Sequence, residues 1–311
     1  MLKILCRSIT PFTQDGSIDE DGLRAHALRL AKHGLGVCLA NSSLGEGFTL
    51  SADEMRRVYE IVGEICAHRV PIYANPPEQH DARQAIRHAE LAATSGCDGV
   101  VLYPVAGWHG FKPTEEESAA FLDSVLGAAS IPVLIAANPV LGYVPHPNVI
   151  ARAIDKHGNV AGVTINGDER YLASVRQNAS RPVDYYAQLN GFLSSYATGA
   201  TGLFAYEANI IPATFAQFAA ACQHWDFDAI ERIGKQLLAF RQVIQRLGPG
   251  NVKPVKMVLR LLKLPGSAGG TRPPNLMPAG GWEEALAADL RKIGLPELNE
   301  MIGAAGLARA G

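Results

Sequence analysis

The residues best placed to do chemistry in this chain lie just after short apolar runs. The clearest group follows Val37-Cys38-Leu39-Ala40 and reads Asn41-Ser42-Ser43-Leu44-Gly45-Glu46-Gly47-Phe48-Thr49-Leu50. A run that short reads as a buried parallel strand. The turn after it offers backbone N–H groups and the Ser42 and Ser43 hydroxyls, a cradle for a small anion. Other apolar runs close on Thr10, Asn75, Asn138, Asn166, Gln188, Asn190 and Glu207. These are mostly neutral hydrogen-bonding groups, suited to a polar neutral or anionic ligand. The same residue types also cap helices and satisfy loop backbone, so each keeps a purely structural alternative. Glu207 stands apart because no helix cap accounts for it. A partly desolvated carboxyl at that strand exit, with Tyr206 beside it, would have a raised pKa and serve as acid or base. Its alternative is a solvent-facing carboxylate bonded to a neighbouring loop.

Other chemistries are poorly served. Of the nine histidines, His26 and His33 stand too far apart on one helix to share an ion, and His109 and His146 fall in separate loops. No glycine-rich dinucleotide loop is present, and no cofactor is expected. Net charge is −2 with acids and bases interspersed, so nothing invites nucleic acid. The five cysteines, Cys6, Cys38, Cys66, Cys97 and Cys222, are scattered and mostly within apolar segments, as in reduced cytosolic proteins. Arg7 and Pro11 come too early for a signal-peptide core, and no apolar run is long enough to cross a bilayer. A cytoplasmic protein whose partners are small molecules and copies of itself is expected.

The elements that must position these residues alternate. Strands are expected at Ile4 to Ile9, Val37 to Ala40, Val70 to Asn75, Gly99 to Pro104, Pro132 to Asn138, Val160 to Ile165, Val183 to Leu189 and Gly202 to Tyr206. Helical patterns fall between them at Leu23 to Leu30, Met55 to Cys66, Ala82 to Ala93, Val149 to Ile154 and around Tyr171 to Val175. Ser51 with Glu54, and Thr114 with Glu117, form capping boxes. About eight such units fit a closed (β/α)8 barrel, an α/β TIM barrel, better than an open sheet. From Phe227 strands disappear. Helices Ala229 to Leu247 and Pro254 to Leu264, a Pro/Gly-rich linker from Pro265 to Gly281 and a last helical region from Trp282 follow. The division is therefore a barrel over 1–226 and a C-terminal helical extension over 227–311.

The turn at Ser42-Ser43-Leu44-Gly45-Glu46 resembles the Gly-Thr-Thr-Gly-Glu signature of the dihydrodipicolinate synthase and N-acetylneuraminate lyase family, which holds the carboxylate of a 2-keto acid such as pyruvate. Lys253-Pro254-Val255-Lys256 is similar to that family's Pro-Val-Lys opening of a helical appendage. The resemblance implies the same barrel and homodimers or homotetramers, with Glu46 a hydrogen-bonded brace of the turn rather than a catalyst. It also implies a lysine on strand six that forms a Schiff base. Aligning Gly-Ile-Lys-Glu on Gly162-Val163-Thr164-Ile165 puts Thr164 there, and no lysine occurs between Lys156 and Lys235. The family's proton-shuttling tyrosine aligns with Ala136, and its carboxylate-binding arginine with Val140 or Leu141. A second tyrosine is missing from the loop at Val105 to Pro113, which is enlarged by Gly107-Trp108-His109-Gly110.

The resemblance makes Thr10, Ser42, Ser43, Asn138, Thr164 and Phe204 the residues expected to line a ligand. Period-two alternation would turn Phe204 and Tyr206 into the barrel together, narrowing the pocket. Glu207 and Tyr206, with Tyr143 as a substitute for the lost tyrosine, are the acid–base candidates. Three readings stay open: a lyase-like enzyme working on a small keto acid or carboxylate without an imine, an inactive barrel kept for ligand binding or assembly, and ordinary family chemistry using Lys112.

Overall fold

The computed structural model describes residues 2–105, 111–138, 144–166, 169–248 and 252–307. Eight parallel strands close in sequence order into a barrel, with neighbours paired all the way round and β8 returning to β1. They are β1 Lys3–Arg7, β2 Gly36–Leu39, β3 Ile72–Ala74, β4 Gly99–Leu102, β5 Val133–Ala137, β6 Val160–Ile165, β7 Asp184–Ala187 and β8 Gly202–Ala205. Between them run α1 Glu20–Lys32, α2 Ala52–Cys66, α3 Ala82–Thr94, α4 Glu115–Ala128, α5 Pro147–Lys156, α6 Glu169–Asn178 and α7 Phe192–Ala197. After β8 come α8 Pro212–His224, α9 Phe227–Arg246, α10 Val252–Leu261, α11 Glu283–Lys292 and α12 Pro296–Ala304.

The strands are apolar on both faces because both faces are covered. Leu5, Cys38, Val101, Leu134, Tyr186 and Phe204 point inward and fill the lumen. Alternate residues such as Ile4, Val37, Ile72, Val100, Val133 and Leu203 point outward against the helices. Both expected capping boxes form: Ser51 Oγ accepts from Glu54 N at 3.2 Å, and Thr114 Oγ1 from Glu117 N at 3.2 Å.

Several expectations need adjusting. The first strand ends at Arg7 rather than Ile9, and the last at Ala205 rather than Tyr206, so Tyr206 and Glu207 lie beyond the ladder. The short α7 and the α8 that follows β8 have weak or uniformly apolar patterns and were not foreseen. The segment read as a linker, Pro265 to Gly281, lies along the barrel mouth. Gly269 comes so near that a Cβ on it would stand 1.9 Å from the Phe12 carbonyl oxygen. No helix among the described residues is long and apolar enough to cross a membrane.

Candidate functional site

Chemistry on such a barrel belongs to the carboxyl ends of its strands. At the end of β2 the chain folds into a tight turn in which Ala40 and Glu46 take φ of 60° and 49°. Gly47 lies so close that a Cβ would sit 1.9 Å from the Ala40 carbonyl oxygen. This compaction brings the Asn41 side chain over the turn. Its Oδ1 accepts from Ser43 N at 3.0 Å, Leu44 N at 3.0 Å and Ser43 Oγ at 2.8 Å. Asn41 Nδ2 donates to the Tyr103 hydroxyl at 3.1 Å, and Ser42 Oγ donates to Glu78 Oε2 at 2.5 Å.

The donors expected to cradle an anion are engaged here by the chain's own Asn41 amide oxygen and by Glu78. Thr10 is likewise engaged internally. It is 1% exposed and donates to the Gly45 carbonyl at 2.6 Å, bracing the turn from below.

Glu46 is fully buried and holds three elements together. It accepts from Lys256 Nζ at 2.5 Å and from Arg272 N at 2.9 Å, and Asn275 Nδ2 approaches to 3.4 Å. Lys256 also donates to the Gly270 carbonyl at 2.8 Å and rests 4.4 Å from the Phe12 ring centre. Burial pulls its ammonium down to about 8, against the opposing pull of Glu46. This geometry is a brace tying the C-terminal segment to the turn.

Glu207 is placed differently from either expectation. It opens a 3-10 turn, Glu207–Asn209, is fully buried, and is ion-paired and hydrogen-bonded to Arg241 of α9. Its other oxygen accepts from Tyr206 N at 3.2 Å. A carboxylate sealed against a guanidinium anchors the 3-10 turn to α9. Tyr206 stands at the rim with Arg241 and Arg7 over its ring, at 5.2 and 5.3 Å from the centroid. Burial and the neighbouring Glu207 push its phenol up to about 12, so it stays protonated at neutral pH. Tyr206 packs mainly with the outer core, whereas Phe204 belongs to the lumen. Both rings nonetheless approach the Arg7 guanidinium, at 5.4 and 5.3 Å. Tyr143 and the inserted Gly107-Trp108-His109-Gly110 lie outside the described residues.

What lines the lumen at this end is a ring of neutral groups around one cation. Thr164 of β6 lies between Ala136 of β5 and Tyr186 of β7 in register and is 4% exposed. Asn138 Oδ1 accepts from Asn166 Nδ2 at 3.0 Å, linking the ends of β5 and β6. Asn75 is fully buried beside Tyr103, close enough to oppose the rise that burial causes in the phenol pKa. Yet neither amide atom of Asn75 has a partner of good hydrogen-bond geometry.

The cation is Arg7, two residues beyond Leu5 on the inward face of β1. Its guanidinium carbon lies 5.4 Å from the Phe204 centroid, and its charge acts on the Tyr103 phenol and the Cys38 thiol. Among the described residues Arg7 has no carboxylate partner, and its Nε is buried and unpaired.

Sequence reasoning missed Arg7, Asn41 and Glu78. Arg7 is the next inward position after Leu5, at the point where β1 ends. Asn41 two residues before Ser43 is the pattern of an Asx turn. Glu78 carried no local signal, because its approach to Ser42 spans two strands.

A closed barrel of eight parallel strands alternating with helices is a (β/α)8 TIM barrel. The chain belongs to the dihydrodipicolinate synthetase family, whose sequence model matches residues 1–291. It is 27% identical to the 4-hydroxy-tetrahydrodipicolinate synthase of Methanopyrus kandleri, over 92% of this chain and 94% of that one. It is 29% identical to the enzyme of the same name from Agrobacterium fabrum, over 92% and 96%. Among solved structures it superposes on YagE, a prophage protein of the family from E. coli K12 in complex with pyruvate. That likeness has a TM-score of 0.85 at 22% identity and covers 95% of this chain and 99% of YagE. The synthase from Aquifex aeolicus gives a TM-score of 0.84 at 20% identity, over 95% and 99%.

Proposed function

We propose that the barrel mouth takes a small keto acid or comparable carboxylate without forming a covalent imine with it. The observation that carries this reading is Thr164, inward and buried on β6 where the family's Schiff-base lysine aligns. A hydroxyl there can hydrogen-bond a carbonyl but cannot condense with it. The buried Lys256 donates to Glu46 and Gly270, and as the ammonium of that ion pair it carries no lone pair for attack. Asn138, Thr164 and Phe204 would line the ligand, and the pyruvate bound by YagE suggests its size.

The Ser42–Glu78 pair favours turnover, since it brings a carboxylate to the mouth that could move a proton through the serine. The sealing of Glu207 by Arg241 favours the alternative, a barrel that binds without turnover. The exposed Leu193, Trp225 and Phe227, with Tyr196 and Trp225 ring centres 5.3 Å apart, support self-association as a homodimer or homotetramer.

The test of the imine-free reading is incubation with pyruvate and borohydride followed by intact mass. The mass of the chain should be unchanged. A stable adduct on any lysine at the mouth would overturn it.

A further inference from the structure

We propose that Arg7 is the anion-binding residue of this barrel, and that the carboxylate seat has moved from the β2 turn to a cation clasped by Phe204 and Tyr206. The inference rests on the carboxylate-binding reading above and deepens it. Two independent observations meet here. The first is that the turn is already occupied: Asn41 Oδ1 takes both backbone donors, Ser43 N and Leu44 N. A ligand carboxylate would have to displace an amide oxygen whose side chain is 2% exposed and also tied to Tyr103. The second is that Arg7, half-buried with its Nε sealed from solvent, has no carboxylate partner among the described residues on the lumen side of β1, where a charge drawn out of water is costly unless its partner arrives with the ligand.

The surroundings of Arg7 suit that task. The rings of Phe204 and Tyr206 lie 5.4 and 5.3 Å from its guanidinium carbon, within cation–π range. A guanidinium carries several N–H donors and can bond a carboxylate through two of them at once. Arg7 is half-buried, so part of the group meets the mouth while solvent screening is reduced. Among the described residues it is the one cation that a strand carries on the lumen side at this end. The ligand class that fits is a small monocarboxylate with a keto or hydroxyl oxygen beside the acid group.

Calorimetric titration of the full chain with pyruvate, and separately with inorganic phosphate, tests the proposal at low salt. Arg7→Met should weaken pyruvate binding by roughly tenfold or more, the scale of losing a charge-assisted pair. Arg7→Gln keeps a polar end of similar length and serves in the same way should the methionine variant not fold. Pyruvate binding at wild-type affinity in either folded variant would overturn the Arg7 assignment and leave the keto-acid reading standing. Phosphate binding that depends on Arg7, without pyruvate binding, would uphold the anion seat and overturn the keto-acid reading. Failure of the wild-type chain to bind either anion would overturn both.

Discussion

If Asn41 occupies the position a ligand carboxylate takes in relatives with a Gly-Thr-Thr-Gly-Glu turn, then Asn41→Ala should exchange stability for anion affinity. The wild-type side chain makes bonds at 3.0, 3.0 and 2.8 Å through Oδ1 and at 3.1 Å through Nδ2. At about 0.5–1.5 kcal/mol per bond the loss is about 2–6 kcal/mol, and the lower half applies where water enters the vacated space. The freed Ser43 and Leu44 N–H groups would then face an anion directly. Charge-assisted bonds from two such donors, at about 1.5 kcal/mol each, correspond to roughly a hundredfold gain in affinity, about tenfold per bond. Urea denaturation measures the first effect and calorimetric titration with pyruvate the second. A variant that is destabilised but binds pyruvate no better than wild type would refute the idea that Asn41 fills the anion seat.

His26 of α1 is fully buried, bonded through Nε2 to Asn209 Oδ1 at 2.9 Å, and held neutral. Burial first, and the charge of Arg29 second, lower its pKa to about 4 from the usual 6.5, with the Asn209 bond opposing them. Below pH 6.5 the unfolded chain takes up a proton that the folded chain refuses until about pH 4. Stability should therefore fall by about 2 kcal/mol between pH 7 and pH 5 on this account. Urea midpoints of wild type and His26→Gln across that range check it, and equal pH slopes in the two would count against it. Self-association should show in light scattering as a mass of at least twice the 33.2 kDa chain. A species of chain mass that does not change with concentration would exclude it.

The barrel itself was legible in the sequence because each unit announces itself locally. Apolar runs such as Val133 to Ala137 must be covered on both faces, and the Ser51–Glu54 and Thr114–Glu117 boxes fix where helices begin. The family resemblance was legible too, since the turn and the Pro-Val-Lys motif are contiguous. The brace role expected of Glu46 depends on a partner 210 positions away, Lys256, which spacing alone does not supply. What only the tertiary structure decided is which polar atoms at the mouth remain available. Asn41 and Ser43 are near neighbours in sequence, but the left-handed conformation of Ala40 and the close approach of Gly47 are what fold one amide onto the other's backbone. Glu207 reads as a strand-end acid until α9, more than thirty positions on, delivers Arg241 to it. Arg7 reads as an ordinary strand residue until closure of the barrel sets β8 beside β1 and brings the Phe204 ring within 5.4 Å of its guanidinium. Pairing of charges in a protein interior is a long-range property, set by which segments the closed sheet makes neighbours.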